Sequence, residues 1–99
     1  MYLVNRNYDV FGVMDKLFLA IADKDGTIDE NSIVYVTTEE AKIFFTIKCA
    51  CFAEPNDILL RYTAARHDET FSYEELLSDI ECFCRKLLAA GVLEVQEES

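Results

Sequence analysis

The stretch from Phe71 to Val95, FSYEELLSDIECFCRKLLAAGVLEV, limits what this chain can fold into more than any other. Ser72 and Glu75 stand at capping-box spacing: the Ser hydroxyl can accept from the Glu75 amide, and the Glu75 carboxylate can reach back to the Ser72 amide. This spacing predicts a helix starting at Ser72, with Phe71 and Leu76 packing as a hydrophobic staple. Tyr73, Leu76, Leu77, Ile80, Phe83, Cys84, Leu87 and Leu88 recur at helical spacing, which gives the helix one apolar face. Gly91 can take the left-handed conformation that ends it, with Val92 folding back on Leu87. The chain then leaves as a short strand, Val92 to Val95.

A helix with one apolar face needs partners, and the preceding sequence supplies them. Thr37 and Glu40 form another capping box, opening a helix through Ala41, Phe44, Phe45, Ile47, Cys51 and Phe52 that should end near Ala53. Pro55 suits the first turn of the next helix, whose inward edge is Ile58, Leu59 and Tyr62. Residues 66 to 70, RHDET, read as a polar link, and the tail from Gln96 to Ser99 as frayed. Residues 1 to 14 mix β-formers with Asn, Asp and Gly, as one or two short strands do. Leu17 to Ile21 and Ile33 to Val36 are apolar runs on either side of Asp23-Lys24-Asp25-Gly26-Thr27, the turn signal of a hairpin with a long acidic connection. The expected fold is α+β: a small winged-helix-like domain over residues 1 to 99, with N-terminal antiparallel strands followed by three helices.

The acidic loop permits two other readings. With Gly26 at the sixth position of a calcium loop, Ile21 and Ser32 fall at the first and twelfth, where the ion needs carboxylates, so a calcium site is not expected. Val13 to Ala22 followed by Asp-Gly-x-Ile-Asp also looks like the acidic helical unit of tellurite-resistance B-like domains. The β-branched Ile33-Val34-Tyr35-Val36 run favours the hairpin.

Composition excludes several functions. With 99 residues and a formal charge of -10, the surface repels phosphates, so direct nucleic-acid binding is not expected. No apolar run approaches the roughly 20 residues of a membrane span, and the N-terminus lacks a secretory pattern, which suits a cytoplasmic protein. Cys49 with Cys51 and Cys82 with Cys84 form two C-x-C pairs. In helical segments residues two apart point about 200° away from each other, so neither pair can chelate one ion; reduced thiols and no metal or other cofactor are expected. His67 is the one histidine, and no Ser-His-Asp set or phosphate-cradling Gly-rich loop is present. No catalytic residues follow from the sequence, and an enzyme is not expected.

Val34-x-Val36-Thr37 with Ala41 and Ile43, then Asp79-Ile80 with Phe83, Leu87 and Gly91-Val92-Leu93, resembles the PqqD-like family of peptide-recognition elements over residues 33 to 95. The resemblance implies a winged helix whose third strand is an exposed edge, with the long helix beside it. In such a module the edge captures a precursor's leader peptide by strand addition and delivers it to a modifying enzyme, doing no chemistry itself. The peptide-binding residues it implies are Ile33, Val34, Tyr35 and Val36 on the edge, facing Leu77, Ile80, Glu81, Cys84, Arg85 and Leu88 on the helix. A different class of function also fits the charge. Asp23, Asp25, Asp29, Glu30, Glu74, Glu75 and Asp79 could let an acidic inhibitor or nucleic-acid mimic occupy a basic groove on a protein partner.

Overall fold

The computed structural model describes residues 2 to 96. In chain order these form strands β1 (Tyr2–Val4), β2 (Tyr8–Val13), β3 (Lys16–Ile21) and β4 (Val34–Val36), helix α1 (Thr38–Ala50), strand β5 (Phe52–Ala53), helices α2 (Pro55–Ala64) and α3 (Tyr73–Ala89), and strand β6 (Leu93–Val95). Two antiparallel sheets result, with orders β5-β1-β6 and β2-β3-β4. The expected α+β class, with antiparallel strands and three helices, is the observed one.

The second sheet carries the long hairpin expected between Leu17–Ile21 and Ile33–Val36: Leu17 pairs with Val36, Phe18 with Tyr35 and Leu19 with Val34. The helical alternative for Val13 to Ala22 is thereby overturned. A tight hairpin joins β2 and β3 with no glycine turn to signal it in the sequence, since Val13 and Lys16 close it around Met14 and Asp15. Met14 takes φ 58°, the left-handed value usually supplied there by Gly, with its side chain fully in solvent. In the long connection the Asp23 carboxylate accepts from the Asp25 and Thr27 amides, and Gly26 supplies φ +82°. Buried Ser32 fixes where the connection ends: its hydroxyl accepts from the Ile21 amide at 2.8 Å and donates to the Asp29 carbonyl at 2.6 Å.

Strand β5 corrects the expected helix end. Helix α1 stops at Ala50 because Cys51 turns left-handed at φ 68°, with its amide on the Ile47 and Lys48 carbonyls. Phe52 and Ala53 can then pair with Leu3 and Tyr2, and Ala53 is buried. Cys51 therefore lies past the helix rather than in it. The capping box of α1 forms as expected, with both bonds between Thr37 and Glu40 present. That of α3 does not, since Ser72 makes no side-chain cap bond. The other end of α3 is a full Schellman motif: Val92 N–H donates to the Leu87 carbonyl, Gly91 N–H to that of Leu88, and Gly91 sits at φ +81°.

Leu76, Ile80, Phe83, Cys84 and Leu87 form the buried face of α3 against Ile43, Phe44 and Ile47 of α1, Ile58 of α2 and Leu19 of β3. Two residues expected on apolar faces are instead in solvent, Tyr73 at 58% and Phe45 at 66% exposure. Phe45 lies about 100° around the helix from Phe44, beyond the arc that Ile43, Phe44 and Ile47 bury. Of the tail expected to fray, residues 97 to 99 fall outside the described residues.

Candidate functional site

Strand β4 is an edge of its sheet, and the hairpin register decides which of its backbone groups are free. In a two-residue hairpin the closing pair exchanges both hydrogen bonds, so Lys16, Phe18 and Ala20 turn their backbone groups toward β2. Alternation then turns Leu17, Leu19 and Ile21 toward β4, in agreement with the Ile21 amide donating to Ser32 and its carbonyl accepting from Asp29. Val36 and Val34 therefore complete the ladder with Leu17 and Leu19. Tyr35 faces outward. Its carbonyl accepts from Lys86 Nζ of α3 at 2.7 Å, across a separation of 51 residues.

Lys86 marks the side of α3 that stands beside β4. Both Glu40 carboxylate oxygens lie 3.4 Å from its ammonium, while Glu40 Oε1 also accepts the Thr37 amide at 2.9 Å. Thr37, Glu39, Glu40 and Ile43 on one side and Asp79, Cys82, Phe83 and Lys86 on the other enclose a cleft of about 390 Å³. Its floor is apolar through Ile43 and Phe83, and its walls carry three carboxylates against one ammonium. Among the described residues Glu39 and Asp79 enter no ion pair.

The structure divides the sequence-implied residues. Tyr35 stands 62% exposed, with its ring edge-on to buried Phe18 at 6.2 Å, and Ile33, Val34 and Val36 are half-buried. None of the six helix residues lines the cleft. Ile80 and Cys84 are core, Leu77 and Leu88 are half-buried against it, and Glu81 and Arg85 are exposed. The cleft stripe is Asp79, Cys82, Phe83 and Lys86, at i, i+3, i+4 and i+7, whereas Leu77, Glu81, Arg85 and Leu88 follow a stripe roughly half a turn away. Of the six, the core takes Ile80 and Cys84, and the cleft is lined from the opposite side of α3. The signal for Lys86 was present in an unpartnered cation on the polar side of α3.

The remaining reactive groups are scattered. His67 has an 82% exposed side chain with Asp68 at 3.6 Å, and the four cysteines form no disulfide. Burial, with smaller contributions from the charges of Glu81 and Glu54, pushes the Cys84 thiol up from its ordinary 9.0 to about 11. Cys84 is thus a protonated core side chain. Among the described residues no group of three or more His, Cys, Asp or Glu is placed to hold a metal ion, and no helix is long and apolar enough to cross a membrane.

No protein-family model and no curated protein sequence matches the chain. Among solved structures, TbiB1 in complex with the TbiA(beta) leader peptide matches with a TM-score of 0.61 at 14% sequence identity, covering 97% of this chain and 99% of that one. The two share a fold. That fold spans nearly the whole of both chains, which agrees with the winged-helix-like architecture expected from the sequence.

Proposed function

We propose that this chain is a non-catalytic peptide-binding module that captures a precursor's leader peptide by strand addition along Ile33 to Val36 and presents it to a modifying enzyme. The observation that carries this reading is the orientation of Tyr35, whose backbone groups point out of the sheet beside the α3 cleft. A peptide strand laid there gains main-chain hydrogen bonds from β4, and its alternate side chains face the α3 cleft. The fold shared with TbiB1, which was solved with a leader peptide, supports it. In this reading Ile33, just before β4, and Val34, Tyr35 and Val36 of β4 form the strand side of the site, and Asp79, Cys82, Phe83 and Lys86 form its α3 side. A displayed random peptide library panned on the full chain tests the reading. Bound peptides should slow amide exchange at Ile33 and Tyr35, and protection confined to any other surface would overturn it.

A further inference from the structure

The carbonyl that a captured strand needs is already occupied. Lys86 Nζ donates to the Tyr35 carbonyl at 2.7 Å, yet a strand added to β4 must bring its own N–H to that oxygen. Resting on the peptide-capture reading above, we propose that Lys86 is a displaceable plug: its ammonium closes the β4 edge in the free protein and withdraws onto Glu40 when a peptide N–H takes the carbonyl.

The opposite edge of the sheet shows why this plug can leave. There Lys48 Nζ donates to the Tyr8 carbonyl at 2.7 Å and pairs with the Asp9 carboxylate, so both of its partners belong to β2 itself. Lys48 could not move away without giving up both. Lys86 differs, because its ion-pair partner Glu40 lies on α1, off the strand. Withdrawal keeps the ion pair and exchanges one hydrogen bond for another. The Lys86 side chain is also 41% exposed against 29% for Lys48, so the released ammonium regains water more readily. Lysines on sheet edges block unwanted strand pairing, and the two here leave the sheet with one edge that opens.

The test is Lys86→Met, which keeps the aliphatic stem and removes the ammonium. A peptide selected by panning on the full chain is labelled and titrated by fluorescence anisotropy. Affinity for Lys86→Met should rise roughly three- to ten-fold, with the gain in association rate, because the incoming N–H no longer competes with an exposed charged donor. Lys24→Met, the same charge change in the exposed turn, should leave affinity unchanged. Thermal melts check that both variants fold. If Lys86→Met binds equally or more weakly while the peptide still protects the Tyr35 amide, the plug is refuted and the capture reading stands. If the peptide protects no β4 amide, both are refuted.

Discussion

Proline at two adjacent positions of β4 separates the folding role of the strand from its binding role. The register directs the Val34 amide into the ladder with Leu19 and the Tyr35 amide out of the sheet. Val34→Pro removes a donor from the buried Leu19 backbone, and leaving that carbonyl unpaired costs about 1–3 kcal/mol before any clash of the ring is added. Tyr35→Pro removes no ladder bond. Its loss is the edge contact of the Tyr35 ring with Phe18, about 1 kcal/mol for a side chain this exposed. The two variants should therefore differ by about 1 kcal/mol, or roughly 4–8 °C in Tm for a chain of this size, with any ring clash at Val34 adding to the gap. Affinity should show the reverse separation, since Tyr35→Pro deletes a donor offered to the peptide and should weaken binding by about ten-fold or more. Circular-dichroism melts and anisotropy titration with a library-selected peptide measure both effects. The reasoning is refuted if Tyr35→Pro melts lower than Val34→Pro, or if both fold and bind as the parent does.

Three further outcomes follow from burial and charge. Ile80→Ala should cost about 2–5 kcal/mol in chemical denaturation, because Ile80 is fully buried, and half-buried Leu77→Ala should cost less; equal losses would contradict the assigned face of α3. The fold favours the neutral Cys84 thiol, so its stabilising contribution is whole below pH 9.0 and is lost as pH rises toward about 11. Cys84→Ser should flatten that alkaline decline, and Cys84 should alkylate last of the four thiols in native protein at pH 8, read by mass spectrometry. Strand capture rests on main-chain bonds and apolar contact, so peptide affinity should fall only modestly between low and high salt. A steep loss would favour the acidic-inhibitor reading.

The sequence alone determined the elements whose signals are local. Spacing placed the Thr37–Glu40 capping box, the Gly91 Schellman turn and the Asp23–Thr27 turn, because each depends on groups a few residues apart. Apolar periodicity placed α3 and its buried face, and with them the α+β class. Tertiary structure decided what local signals could not encode. Met14 and Cys51 adopt left-handed backbone without being glycine, held there by pairings that reach from β2 to β3 and from β5 to β1. Ser72 lacks the cap bond its spacing promised, and Phe45 and Tyr73 stand in solvent where periodicity set them inward. The candidate site divided along the same line. The β-branched run at 33 to 36 announced a strand, observed as Val34–Val36, but a sheet edge is defined by which strand lies next to it. The wall of the cleft is the polar side of α3, and only the tertiary placement of that helix carries Lys86 to a carbonyl 51 residues earlier in the chain.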